Sequence, residues 1–261
     1  MNDEMGLGTL YAQPHSLPKK HKKNKVFKTT ALVTVLLIVL VISFLFLTPV
    51  FCIRDIPVTG TKYLSPTKVL DASGLEVGTN IFTFRTSDAE DNISALSFVK
   101  TVKVTRAFPN KVSIEIEECN PCAQILCGES LYLIVDETGK ILDTSSDNEK
   151  YNVPVIEGVL VEQFEVGKVV STNDSNTVST LLTIARELID NEMVNQVKRL
   201  SLSDGDIFLH FENNISADIG SGDNSAYKIS FLKEAIQGIP EGKTGIIEFI
   251  DEGKAVLKEY E

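Results

Sequence analysis

Residues 98–118 read FVKTVKVTRAFPNKVSIEIEE. Val102 and Val104 alternate with Lys103 and Thr105, and Val112, Ile114 and Ile116 alternate with Lys111, Ser113, Glu115 and Glu117. Successive strand side chains point to opposite faces, so period two with one polar face predicts two strands of a sheet packed on one side only. Pro109-Asn110 supplies the turn between them.

The apolar side of such a pair needs a cover, and the residues just upstream provide it. Ser65-Pro66 puts an N-cap hydroxyl beside a proline at the first helical position, Val69, Leu70 and Ala72 follow, and Gly74 ends the helix. Ser87-Asp88-Ala89-Glu90 has the spacing of a capping box and opens a second helix with Ile93 and Leu96 on one face. Cys52 to Thr59 is short and apolar enough for a strand, stopped by Gly60. The order is strand, helix, helix, strand, strand, and two helices cover the sheet.

Further upstream, residues 29–51 run TTALVTVLLIVLVISFLFLTPVF without a charge, preceded by Lys19, Lys20, Lys22, Lys23, Lys25 and Lys28. At a rise of about 1.5 Å per residue the run makes a helix of roughly 34 Å, enough to cross a hydrocarbon core of about 30 Å. Lysines beside a span stay on the cytoplasmic side, so residues 1–28 are expected inside and the chain after Cys52 outside. A cleaved signal peptide has a shorter apolar region and a small-x-small exit; here the exit is Thr48-Pro49-Val50-Phe51-Cys52.

The exported part is acidic. Residues 1–51 hold six of the 25 Lys and Arg and two of the 36 Asp and Glu, which leaves a net charge of −15 for residues 52–261. Such a surface repels nucleic acid, whose binding rests on neutralising phosphates.

Past Pro121 the pattern changes. Leu131–Val135 and Lys140–Asp143 flank Asp136-Glu137-Thr138-Gly139, a hairpin by its turn chemistry. Val153–Ile156 reads as a strand stopped by Gly158. Val178, Leu181, Leu182, Ala185, Leu188 and Ile189 have helical spacing after the polar stretch 171–177. Strands are expected at about 194–203, 206–212 and 215–219, then a helix capped at Asp223-Asn224-Ser225, then a terminal pair, Ile246–Ile250 and Ala255–Tyr260. The expected fold class is α+β. A cytoplasmic tail (1–28) and a transmembrane helix (29–51) precede a β-α-α-β-β domain (52–121) and a mostly antiparallel β domain with two helices (122–261).

The stretch IRDIPVTGTKYLSPTKVLDASGLEVGTNIFTF, a strand ending in Val-x-Gly, a Ser-capped helix and Gly-x-Asn-Ile, resembles the opening of a POTRA domain, and residues 98–118 resemble its close. With one anchor and a basic tail in front, the chain resembles the FtsQ/DivIB family of bitopic bacterial cell-division proteins. It departs at Glu118-Cys119-Asn120-Pro121-Cys122-Ala123, where that family has a Glu-Arg-x-Pro-Val-Ala-like segment. The resemblance implies a non-enzymatic scaffold at the septum of a bacterial cytoplasmic membrane. Its implied partners are FtsL and FtsB/DivIC-type coiled-coil proteins, through which it helps regulate septal peptidoglycan synthesis. Competing readings are a POTRA protein of export or envelope assembly, and an anchored wall hydrolase.

A search for chemistry favours the scaffold. No G-x-S-x-G, G-x-x-x-x-G-K-[ST] or H-E-x-x-H run occurs, and the histidines are His15, His21 and His210, of which the last is expected on the solvent face of a strand. Neither a catalytic residue nor a cofactor, metal or small-molecule substrate is expected. Cys119, Cys122 and Cys127 cluster at the domain junction, where the spacing admits free thiols, one disulfide or three ligands of an incomplete metal site. A last strand often lies at a sheet edge, where unpaired N–H and C=O groups accept a partner's strand. Ile246, Ile247, Phe249, Val256, Leu257 and Tyr260 are therefore the candidate partner-binding residues.

Overall fold

The computed structural model describes residues 23–212, 214–240, 242–251 and 253–259. Lys19, Lys20, Lys22, His15, His21 and Tyr260 lie outside these. The chain divides into two compact units, Met1–Pro49 and Val50–Glu261.

Among the described residues of the first unit, the helix α1 (Lys23–Leu47) carries the apolar stretch Phe27–Phe46, with no residue of it buried. Its threonines hide their polarity locally. Thr30 and Thr34 hydroxyls donate to Phe27 O (3.0 Å) and Thr30 O (2.9 Å), and Thr48 donates to Phe44 O (2.6 Å). Such back-bonding leaves nothing for a hydrocarbon environment to solvate. The helix stops earlier than the uncharged run does, because Pro49 has no N–H to continue it, and Pro49–Phe51 form a 3-10 turn instead.

The second unit starts with β1 (Val58–Thr59), α2 (Pro66–Ser73), α3 (Thr86–Ser94), β2 (Val99–Ala107) and β3 (Lys111–Glu118). The three strands form one sheet in the order β1-β3-β2, with β1 parallel and β2 antiparallel to β3. Ile53, Val69, Ile81, Ile93, Val112 and Ile114 are fully buried between sheet and helices. The Ser65 cap forms as its residue type predicts, accepting Lys68 N–H at 3.2 Å, and Gly74 closes α2 at φ 67°. Gly60, at φ 84°, admits no side chain, since a Cβ would lie 1.9 Å from Ile116 O.

Two local expectations fail for identifiable reasons. The strand expected over 52–59 shrinks to β1, since Pro57 cannot donate and Ile53 N–H turns to Thr79 O (2.8 Å). The capping box does not form either. Arg85 occupies the cap without a side-chain bond, and Glu90 Oε1 accepts Val104 N–H of β2 at 2.7 Å, tying α3 to the sheet.

Glu118, the last residue of β3, lies in phase with buried Val112, Ile114 and Ile116. Its carboxylate is satisfied by three consecutive backbone donors: Lys62 and Tyr63 N–H reach Oε2 at 3.0 and 2.7 Å, and Leu64 N–H reaches Oε1 at 2.9 Å. Charge-assisted bonds of this kind are about twice as strong as neutral ones and hold the approach to α2 against the sheet.

Nine strands follow in a second sheet: β4 (Ala123–Cys127), β5 (Leu131–Val135), β6 (Ile141–Ser145), β7 (Val155–Glu157), β10 (Val197–Ser203), β11 (Asp206–Phe211), β12 (Ile215–Asp218), β13 (Gly245–Asp251) and β14 (Lys254–Glu259). A separate short pair is formed by β8 (Val161–Gln163) and β9 (Ser171–Thr172). The order in the large sheet is β14-β13-β12-β11-β10-β7-β4-β5-β6. The pairs β12–β13, β10–β7 and β4–β7 are parallel and the others antiparallel. Parallel neighbours need a crossover, supplied by α4 (Ser175–Asp190) between β7 and β10 and by α5 (Ser225–Gln237) between β12 and β13. Asp174 Oδ1 caps α4 through Asn176 and Thr177 N–H, both at 3.1 Å. Leu181, Ile184 and Leu188 of α4 and Ile229 and Leu232 of α5 pack with Leu200, Leu209 and Ala217 of the sheet in one core.

At the β5–β6 end the opposite face is also covered. Ile134 and Leu142 are buried with Phe98, Val99 and Cys119 of the first sheet's core rather than with the helices. Ser97 Oγ donates to Leu142 O at 2.6 Å, Lys140 Nζ to Val99 O at 3.1 Å, and Tyr63, Phe98 and Tyr151 form a ring stack. The two sheets therefore meet in a shared apolar core. The chain is α+β throughout, as the sequence predicts.

Candidate partner-binding edge

β14 and β6 are the two edge strands of the nine, and the β6 end is the one whose Leu142 and neighbouring Ile134 pack against the first sheet's core. Which groups of β14 are free follows from its neighbour. Gly245 N–H points to Asn214 O at the start of β12 (3.4 Å), and backbone direction alternates along a strand. Gly245 and Ile247 therefore face β12, while Ile246 and Glu248 face β14. The register pairs Ile246 with Lys258 and Glu248 with Val256. Lys258 and Val256 spend their backbone groups on β13, and Leu257 and Glu259 direct theirs away from the sheet.

Side chains sort by the same alternation. Ile247, Phe249, Ala255 and Leu257 pack toward α4 and α5. Ile246 and Val256 lie on the opposite face, in register with Ser216, His210 and Arg199 along one row and with Asp218, Phe208 and Ser201 along the next. Of the six residues predicted to bind a partner, the structure thus puts Ile246 and Val256 on the open face and commits Ile247, Phe249 and Leu257 to the core. Leu257 still offers its backbone. Lys258 pairs with Glu248 and Lys243 with Glu259, which keeps charge along the edge.

His210 is not simply solvent-facing. It is half-buried, with Nε2 2.7 Å from Ser201 Oγ of β10 and Nδ1 2.9 Å from Ser216 Oγ of β12. Burial, with the Arg199 guanidinium nearby, lowers its pKa below the ordinary histidine value. A serine hydroxyl against an imidazole is the first contact of a nucleophile–base pair. Here the two bonds run across the sheet, from β11 to β10 on one side and to β12 on the other. The arrangement clamps three strands on the open face.

The junction cysteines are three residues apart yet belong to different cores. Cys119 is buried with the first sheet and Cys122 with the second, its Sγ 3.6 Å from Leu182 O, while Cys127 is half-buried at the end of β4. All four cysteines are free thiols in this structure. Burial pushes the Cys122 thiol up to about 11, so its reactive thiolate is scarce at neutral pH. Alkylation of the folded protein without reductant is expected to modify Cys127 first and Cys122 only after denaturant is added, as read by peptide mass spectrometry. A linkage among Cys119, Cys122 and Cys127 that vanishes on reduction would contradict this.

A domain described as POTRA, FtsQ-type, matches residues 51–118. Cell division protein DivIB of Clostridium botulinum is 23% identical over 92% of this chain and 94% of its own length. DivIB of Bacillus anthracis is 30% identical over 48% of this chain and 47% of its own, and FtsQ of Corynebacterium glutamicum 31% identical over 44% and 52%. One helix long and apolar enough to cross a membrane, among the described residues, fits a single-pass membrane protein, and the POTRA domain and the mixed sheet after it place the chain in the POTRA class. Within that class, the chain is similar over most of its length to DivIB and over part of it to FtsQ cell-division proteins, and its POTRA domain is of the FtsQ type.

Proposed function

We propose that this protein is a non-enzymatic scaffold of the bacterial division machinery, linking early and late septal proteins and helping regulate septal peptidoglycan synthesis through contacts outside the membrane. The tail before α1 lies in the cytoplasm, as its lysines favour, and the POTRA domain and the large sheet lie on the other side. The observation that carries the reading is the free edge of β14, whose outward N–H and C=O groups fit the addition of a partner strand. FtsL and FtsB/DivIC-type coiled-coil proteins are the partners proposed for it. A fluorescent protein fused to the N-terminus is expected to concentrate at midcell in dividing cells. Uniform envelope fluorescence would overturn the divisome assignment and favour export or envelope assembly.

A further inference from the structure

We propose that the aromatic cluster Phe51, Phe82 and Phe108 rests in the lipid interface of the membrane that α1 crosses, so that the POTRA domain is fastened to the bilayer at a second point; this rests on the anchored reading above. The three rings come from separate parts of the domain. Phe51 ends the turn after Pro49, Phe82 sits in the loop before α3, and Phe108 lies at the turn between β2 and β3. They meet as one cluster: Phe82 stacks on Phe108 with centroids 5.5 Å apart, and Phe51 is tilted against Phe82 at 5.4 Å. Local bonds hold them there. Asn80 Oδ1 accepts Phe82 N–H at 2.9 Å, Ile81 N–H donates to Phe51 O at 2.8 Å, and Arg54 N–H donates to Asn110 O at 2.8 Å.

The cluster nonetheless leaves apolar surface in water. Phe108 is 62% exposed and Phe82 37%. Contiguous exposed apolar surface on a folded domain marks a place where something else binds. The chain itself names the occupant. Phe51 is four residues past Leu47, the end of α1, so at most about 3.5 Å per residue separates it from the span by roughly 14 Å. That is comparable with the headgroup layer, where aromatic rings concentrate.

Charge agrees with this occupant. Residues 79–86 and 105–112 contain Arg85, Arg106 and Lys111 and no Asp or Glu, on a chain whose net charge is −11; Lys111 pairs with Asp55 at 3.2 Å and Arg106 donates to Phe84 O while keeping its charge. Anionic headgroups attract such a patch and repel the rest of the exported surface.

The chain contains no tryptophan, so Phe108→Trp and Phe82→Trp each install a single fluorophore in the cluster. Phe164→Trp, at an exposed position after β8, is the control. Each full-length variant is reconstituted into phosphatidylcholine–phosphatidylglycerol vesicles, floated, and compared in lipid with and without bromines near the top of the acyl chains. Bromolipid is expected to quench the two cluster tryptophans at least about twofold and to leave Phe164→Trp unchanged. Vesicles that float with protein but leave both cluster tryptophans unquenched would overturn the second contact while sparing the anchor, and would assign the cluster to a protein partner. Failure to float would overturn the anchor and this contact together.

Discussion

Replacing Leu257 by proline is expected to abolish co-purification of the division partners while the protein stays folded. Leu257 N–H points away from the sheet, so its loss removes a donor from an added strand and none from the β13–β14 ladder. The side chain does pack against the core. Truncation there costs about 2 kcal/mol, and Leu257→Ala is the matching control: it loses the same packing, keeps the N–H, and is expected to retain the partners. Val256→Pro should do the opposite of Leu257→Pro to the fold, because Val256 spends its N–H on β13; loosening of the terminal hairpin should appear as faster amide exchange. Full partner capture by folded Leu257→Pro would exclude the β14 edge and move the interface to another surface, the POTRA sheet first.

Glu118→Ala is expected to be the most destabilising single substitution outside the apolar cores. Three neighbouring N–H groups converge on one carboxylate, two of them at 2.9 Å or less, and Leu64 is itself buried. Stranding a buried donor such as Leu64 N–H costs more than the bond's net worth, while Lys62 and Tyr63 N–H, on part-buried bonds, lose a charge-assisted acceptor. A loss of about 3 kcal/mol is expected, or roughly 6–12 °C in unfolding midpoint for a unit of this size, measured by circular dichroism of the full chain in mild detergent. Glu118→Gln keeps one acceptor oxygen and turns an NH2 toward the remaining donors, so its midpoint should fall between Glu118→Ala and the parent. An unchanged midpoint for Glu118→Ala would mean that residues 62–64 are held by packing alone.

Much of the POTRA architecture was legible because it depends on local patterns. The Ser65-Pro66 start, the Gly74 stop and the alternation through Val102, Val104, Val112, Ile114 and Ile116 need only nearest neighbours in sequence, and the structure follows them. Glu118 carried a readable signal that the sequence reading missed. It continues the buried phase of β3, and a carboxylate there must find partners. The Ser87 capping box was misread because Glu90 had a better use across space, at Val104 N–H, which no i to i+3 rule contains. β4 was missed because Ala123–Cys127 is only five residues long and, buried on both faces at its start, shows no period-two alternation, although Asn120-Pro121 before it and Gly128 after it mark turns.

The candidate edge was legible in part for the same reason. That β14 is an edge strand could be guessed from its being last, but strand order is a property of the whole sheet, and its other edge is β6. Which N–H is free depends on register against β13, and the burial of Ile247, Phe249 and Leu257 depends on α4 and α5 lying on one face. Nothing local to residues 246–257 encodes either.

The core shared by the two sheets sets a length. Strands lie about 4.8 Å apart, so the eight intervals from β6 to β14 span roughly 38 Å, less what twist removes. One end of that span is fixed to the POTRA domain through Ile134 and Leu142, and the other is the free edge. The sheet is therefore a gauge: any strand received at β14 is held at a near-constant stand-off from the POTRA domain, and a partner must be long enough to reach it there.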